Sequence, residues 1–272
     1  MIKIVYSCND KYFVGLFLSI LSIAKRCKQQ IYFYILTGNF LDLNKSYSAL
    51  SNRHYLLLNK LVKKYNKNSY CQIINCEKNA LKYLTNKKNL FNKKFSPYAS
   101  LRLLLDLYPI LDKKIIYLDI DTMACGNIEE LFNIDITNYE FAAANNWWLR
   151  RILSKNTINT GVLLINMLQA RTTNLFSEAR NVFNSKRLFW PDQTSINKAK
   201  TKFLLFPDDQ YRFNRQSKRL YPNDIIKHFC AGPWGWPISN NIKQWETDKV
   251  HKYLKIFCFD EDFAIYRKFI CN

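Results

Sequence analysis

Glycine is scarce in this chain. The six glycines among 272 residues lie at positions 15, 38, 126, 161, 232 and 235, so neither G-x-G-x-x-G nor G-x-x-x-x-G-K can be written anywhere. The dinucleotide fingerprint and the P-loop are therefore excluded, and any diphosphate bound here must be neutralised by something other than a glycine-rich loop. Eight cysteines are present, but they form neither CxxC pairs nor a zinc-ligand spacing, which predicts reduced core thiols. No stretch approaches the apolar length of a membrane span, and the opening MIKIVYSCND is too short for a signal-peptide core; a cytoplasmic protein is expected. Acidic residues are also few, 21 against 41 lysines and arginines, giving a formal charge of +20. A field of that sign attracts nucleic acid or an anionic membrane. No RRM, KH or helix-turn-helix signature is present, and much of the excess falls in Lys/Asn-rich connections at 60–68 and 86–94. No nucleic-acid partner is expected, and peripheral contact with an anionic membrane is.

Hydrophobic side chains make up 48% of the chain, enough for one substantial core with a small appendage. The most informative stretch is IIYLDIDT, residues 115–122. An apolar, strand-forming run reaches Asp119 and Asp121 on either side of Ile120, and the two-residue period of a strand would turn both carboxylates to one side. Like charges that close repel unless protonated, bonded to strong donors or shared by a cation, so a divalent metal is one explanation. The plainer one is that Asp often ends strands by bonding its own turn backbone.

The chain opens with a predicted strand over 2–6, a helical pattern through Val14, Phe17, Leu18, Leu21 and Ala24, and a second strand at 31–36. In such βαβ sheets nucleotides sit beyond the carboxyl ends of strands, which makes the turn Ser7, Cys8, Asn9, Asp10 and Lys11 either a nucleoside site or an ordinary helix cap. An apolar helix is expected over 95–107, where Arg102 stands among leucines as a snorkelling group or a cation aimed at an anion. Further strands are expected at 140–144, at 159–166 (NTGVLLIN) and at 224–229, the last carrying His228. Asn159 and Gly161 open the second of these, where backbone approach to a ligand would be permitted. Asp192 and Gln193 fall at a helix start, where Asp192 would serve equally as an N-cap. Two carboxylates and one imidazole, Asp119, Asp121 and His228, form a mixed oxygen and nitrogen set suited to Mn²⁺ ahead of Mg²⁺.

Taken together, YLDIDT, NTGVLLIN, PDQ and HFCAGP, in that order over 2–236, resemble glycosyltransferase family 8. The resemblance implies an α/β GT-A fold, a Rossmann-like nucleotide-binding mixed sheet flanked by helices. It would form a catalytic domain over 1–245, followed by a basic, aromatic-rich helical appendage at 246–272. It implies a retaining enzyme that moves galactose or glucose from a Mn²⁺-bound UDP-sugar donor to a saccharide or lipid-linked glycan acceptor, as in lipopolysaccharide synthesis. Residue by residue, Asp119, Asp121 and His228 match the metal ligands. Ser7 and Asn9 fall where the family holds uridine, and Arg102 matches the cation over the donor. Asn159 and Gly161 match the sugar-side strand, Asp192 the residue gripping donor hydroxyls, Gln193 the residue beneath the reacting carbon, and Gly232 the glycine at the diphosphate; Ile120 separates the metal carboxylates.

Two departures stand out. Family members continue from the histidine to Lys-Pro-Trp, whereas here Gly232 to Trp236 contains no lysine, and Lys227 or Lys243 would have to substitute. Asn146 stands where an acid is frequent in galactosyl-transferring members, which leaves the donor sugar open. A non-catalytic UDP-sugar-binding relative would also account for the missing lysine, and a basic nucleic-acid-binding protein would account for the charge alone. At the C-terminus, Val250, Tyr253, Leu254 and Phe257 at helical spacing beside Lys249, Lys252 and Lys255 predict an amphipathic helix, able to lie on an anionic membrane or to pack on the domain.

Overall fold

The computed structural model describes residues 1–40, 47–91, 96–146, 156–207, 209–230 and 242–271. Its N-terminal unit is β1 (Ile2–Ser7), α1 (Phe13–Arg26) and β2 (Ile31–Thr37), followed by α2 (Asn52–Tyr65) and β3 (Tyr70–Asn75). Almost every side chain of α1 from Phe13 to Ala24 is buried, which is why its sequence is apolar on nearly every face. Lys25 and Arg26 close its last turn, where the helix dipole favours cations. The helix α2 starts at Ser51, whose hydroxyl accepts from the His54 backbone N–H.

The remaining strands are β4 (Lys114–Leu118), β5 (Thr122–Ala124), β6 (Phe141–Asn145), β7 (Ile158–Asn166), β8 (Phe203–Leu205) and β9 (Ile226–His228). Seven of the nine described strands form one sheet in the order β3-β2-β1-β4-β7-β6-β8, while β5 and β9 pair separately. β1 runs parallel to β2 and β4, and β7 lies antiparallel to both β4 and β6, so the sheet is mixed. The chain moves outward from β1 to β3 and then returns to place β4 on the other side of β1. In open α/β sheets that reversal leaves a crevice beyond the strands' carboxyl ends, and here Ser7 and Asp119 flank it.

The sheet is covered on both sides. Leu16, Phe17, Ile20 and Leu58 pack with Ile4 and Ile35 in one cluster, and Leu101, Leu104, Phe176 and Phe183 pack with Val5 and Leu163 in the other. Each such side chain removed from water contributes about 1.5–3 kcal/mol. A third, smaller cluster joins Leu18, Met123 and Phe229 to Val250, Ile256, Phe259 and Phe263.

Three expectations need correcting. The strand expected to carry Asp119 and Asp121 stops at Leu118, and the two acids occupy the turn before β5. Within that turn the Asp119 carbonyl accepts from Thr122 N at 3.2 Å and from Thr122 Oγ1 at 2.7 Å, so a tight reversal, not a strand period, aims the carboxylates. The helix expected over 95–107 is a single α-turn at Pro97–Ser100 that tightens into a 3-10 helix at Leu101–Leu107. The C-terminal amphipathic helix is not continuous: a short helix, Thr247–Lys249, runs into a π-turn, Val250–Leu254, which ends at Lys255 with φ 57°. Val250 is buried and Leu254 packs beside it, while Tyr253 and Phe257 are exposed, so the four apolar residues do not share one free face. The helix that follows, Asp260–Cys271, docks on α1: the Tyr266 and Phe269 rings lie 5.2 and 5.5 Å from that of Phe17, and Asp262 pairs with Lys25 and Arg26.

Candidate functional site

The turn after β4 and the end of β9 meet because β5 and β9 pair, with Thr122 opposite His228. This brings His228 Nε2 to 3.2 Å from Asp121 Oδ1 and 3.9 Å from Asp119 Oδ2. One ligand atom from each of the three residues lies within 4.8 Å of the others, close enough to share one ion. Gly161 leaves the room. A Cβ there would collide with His228 Cε1 and lie 2.7 Å from Asp119 Oδ2, so the pocket depends on a missing side chain in β7. A hard-to-borderline divalent cation such as Mn²⁺ or Mg²⁺ fits this donor set, two carboxylates and one imidazole.

Arg102 does not snorkel. It is 2% exposed and points inward, its Nη2 donating to Asp119 Oδ1 at 2.5 Å and its Nη1 to the Thr160 carbonyl. Its Nε donates to the Ala99 carbonyl and lies 3.2 Å from Asp192 Oδ2. Tyr117 completes the cluster, its ring 4.5 Å beneath the guanidinium and its hydroxyl 3.2 Å from Ser7 Oγ. Burial alone would disfavour the charge on Arg102, but Asp119, Tyr117 and Asp192 outweigh it and hold the guanidinium more firmly protonated than usual. Asp192 is not an N-cap either: the helix Pro191–Ala199 is capped at Trp190, and the Asp192 carboxylate is turned to Arg102. Gln193 follows on the same first turn, half-buried.

The two carboxylates of this cluster differ. Burial and the Asp121 charge push Asp119 up, with Arg102 opposing them. Burial also acts on Asp121, but Lys243 and His228 outweigh it and hold that carboxylate far below the usual range. Lys243 Nζ donates to Asp121 Oδ2 at 2.5 Å and to the Phe229 carbonyl at 3.0 Å. Of the two lysines considered as substitutes, Lys227 is turned away, its ammonium bonded to the carbonyls of Arg215, Ser217 and His228. Gln244 and Trp245 extend the contact made by Lys243. Gln244 Nε2 donates to the Ile120 carbonyl at 2.6 Å, and the Trp245 ring lies against Gly15 and beside Tyr12. Lys243 was one of the two substitutes open in the sequence; Gln244 and Trp245 beside it were not singled out, since an amide and an indole carry no charge to mark them.

Ser7 and Asn9 sit at the β1 end of the crevice, 7% and 1% exposed, and the Asn9 carbonyl accepts from Tyr12 N. Asn159 lies at the start of β7, its Oδ1 accepting from Gly161 N. Gly232 lies outside the described residues. The structure thus brings Asp119, Asp121, His228, Arg102, Asp192 and Gly161 together, with Ser7 linked to them through Tyr117.

The sequence profile of glycosyl transferase family 8 matches residues 3–214. A putative glycosyltransferase of Haemophilus influenzae is 28% identical over 258 residues, covering 86% of this chain and 72% of that protein. The lipopolysaccharide glucosyltransferase WaaO of Escherichia coli is 25% identical over 290 residues, covering 92% and 81%. Among solved structures, galactosyltransferase LgtC in complex with donor and acceptor sugar analogs superposes with a TM-score of 0.66 at 17% identity, over 97% of this chain and 95% of that one.

Proposed function

The chain belongs to glycosyl transferase family 8 and has the GT-A fold of its structural relatives, and from that premise we propose that it transfers galactose or glucose from a UDP-sugar to a glycan, with retention at the anomeric carbon. The acceptor we infer is a cell-surface saccharide of the lipopolysaccharide or lipooligosaccharide type, in keeping with the relative WaaO. One observation carries the reading: Asp119, Asp121 and His228 converge beside the Arg102–Asp192 pair at the β1/β4 crevice.

Cleavage of the sugar–UDP bond builds negative charge on the diphosphate, and groups that meet this charge more strongly in the transition state than before it accelerate the step. A divalent ion held by Asp119, Asp121 and His228 would supply Lewis-acid neutralisation there. Lys243 stands at the same carboxylate and is placed to take the diphosphate role of the absent Lys-Pro-Trp lysine, which favours a catalytic over a non-catalytic relative. Ser7 and Asn9 hold the nucleoside at the end of β1, and Gly232 is assigned to the diphosphate from the sequence match. Arg102 orients the donor and Asp192 grips its hydroxyls. Because Asp192 is paired with a guanidinium, its carboxylate is a weakened nucleophile, and Gln193 is a neutral amide. Front-face attack, with the departing UDP oxygen taking the acceptor's proton, is therefore favoured over a covalent intermediate.

The test is UDP release from a panel of UDP-glucose, UDP-galactose and their N-acetyl forms, with Mn²⁺ or with chelator. We expect release from a hexose donor that chelation stops and that Asp121→Ala abolishes while circular dichroism stays unchanged. Near-normal turnover by Asp121→Ala in saturating Mn²⁺ would remove the proposal. A lipid-linked acceptor would bring the chain to an anionic surface, and exposed Tyr253 and Phe257 beside Lys252 and Lys255 are the side chains placed for that contact. Binding to anionic vesicles should then fall with added salt and with Tyr253→Ser/Phe257→Ser; salt-independent binding would dismiss the membrane contact.

A further inference from the structure

His228 is useful as a ligand only if the nitrogen facing the carboxylates keeps its lone pair, so the proton of a neutral ring must sit on the other nitrogen. The structure contains a chain of hydrogen bonds that decides this, beginning at a donor that cannot be reversed. The backbone N–H of Gly161 donates to Asn159 Oδ1 at 2.9 Å, which fixes that side-chain atom as the acceptor. The same oxygen lies 3.0 Å from Asn214, which must therefore present its Nδ2 donor. The Oδ1 of Asn214 is then turned to His228 Nδ1 at 3.0 Å, and an amide oxygen can only accept. The proton is placed on Nδ1, while Nε2 faces Asp121 Oδ1 at 3.2 Å and Asp119 Oδ2 at 3.9 Å, so a proton on Nε2 is the one that an ion would displace.

Asn214 is well held for this task. It is fully buried, and its backbone N–H donates to the Tyr211 carbonyl. The next residue, Arg215, exchanges backbone hydrogen bonds with β9: its N–H donates to the Ile226 carbonyl, and its carbonyl accepts from His228 N. Arg215 is anchored in turn by Asp224 and Asp209. We infer that Asn214 is a positioning residue: through its two amide atoms it fixes the proton of His228 on Nδ1 and ties the metal pocket to Asn159 on the sugar-side strand. This rests on the metal reading of the Asp119, Asp121 and His228 cluster, and it gives Asn214 a part in donor placement without contact with the reacting atoms. A carboxylate at this position would still accept from His228 but would face Asn159 Oδ1 with no proton to donate, whereas leucine would serve neither side.

The experiment uses the full chain. With only three histidines, His54, His228 and His251, the imidazole nitrogens can be read by ¹⁵N NMR on the metal-free protein, with His54 and His251 assigned by single substitution. We expect His228 Nδ1 to carry a proton in the wild type also where the ring holds only one proton, as read at a pH at which the ¹⁵N shifts show a neutral imidazole. Mn²⁺ affinity, measured by electron paramagnetic resonance with the ion alone, should weaken about 10–100-fold in Asn214→Leu and less in Asn214→Asp, which keeps the acceptor toward His228 but loses the donor toward Asn159. A bare Nδ1 in a wild type that binds Mn²⁺ normally overturns the proposal, as does a folded Asn214→Leu with wild-type Mn²⁺ affinity. If Asn214→Leu fails to fold, the wild-type proton position and the Asn214→Asp affinity still decide the matter. A wild type that binds no Mn²⁺ overturns the metal reading instead, and a protonated Nδ1 there supports the hydrogen-bond assignment independently.

Discussion

Lys243 is the residue on which the chemistry of the crevice turns. Its ammonium stands against Asp121, the same carboxylate a divalent ion would need, so on the proposed reading the two cations would compete there before a donor arrives. Lys243→Ala should therefore leave Mn²⁺ affinity undiminished, since a competing charge is removed, yet lower kcat by about 10²-fold through loss of a donor to the developing diphosphate charge. Steady-state kinetics at several Mn²⁺ concentrations would check both parts, and unaltered kcat would exclude Lys243 from the diphosphate. The contrast with Asn214 shows what a sequence exposes. Aspartates, histidine and lysine announce themselves by charge, and Asp119, Asp121 and His228 were legible. Asn214 is a neutral amide between Phe213 and Arg215, in a chain where asparagine is common, and only its two partners across the fold give it meaning.

Secondary structure elements were legible where burial made them uniformly apolar. β1, β2 and β7 appear close to their expected bounds because strands covered on both faces consist of continuous hydrophobic runs. The turn after β4 was not, since Ile120 between two acids continues the strand pattern while the Thr122 hydroxyl, closing back on the Asp119 carbonyl, leaves no periodic trace. The C-terminal stretch misled for a related reason: helical spacing cannot reveal that a π-turn sends Val250 inward while Phe257 stays in solvent. Its packing makes a definite prediction. Phe263, 3% exposed in the third cluster, should cost about 3 kcal/mol when replaced by Ala, read as a lower urea midpoint. A change within about 0.5 kcal/mol, the range of surface substitutions, would mean that the last helix contributes little to the domain.

Among the described cysteines Cys8, Cys27, Cys71 and Cys76 are buried and Cys125 is half-buried, whereas Cys258 is exposed, and the buried thiols shape the response of the whole molecule to alkali. Burial pushes Cys27 and Cys125 up to about 12 and Cys76 up to about 11 from 9.0, and raises Cys8 and Cys71 further. Above about pH 9 the unfolded chain releases thiol protons that the folded chain keeps. This stabilisation is complete below that pH and is lost as pH rises through 11 and 12, at about 1.4 kcal/mol per pH unit for each thiol titrating only when unfolded. Lys227, pushed down by burial to about 8, works in the opposite sense, but as one group against several. Urea midpoints at pH 8, 9.5 and 11 should decline in that order, and a flat series would contradict the burial of Cys8, Cys27, Cys71 and Cys76. The pairing of β5 with β9 also sets a schedule for synthesis. β1, β2 and β3 can find their partners in the order in which a ribosome delivers them, but Thr122 must wait for His228 before its strand has a neighbour, and Asp121 waits longer still for Lys243. For much of translation Asp119 and Asp121 are present without His228, so the Asp119, Asp121 and His228 cluster is among the last features a nascent chain can complete.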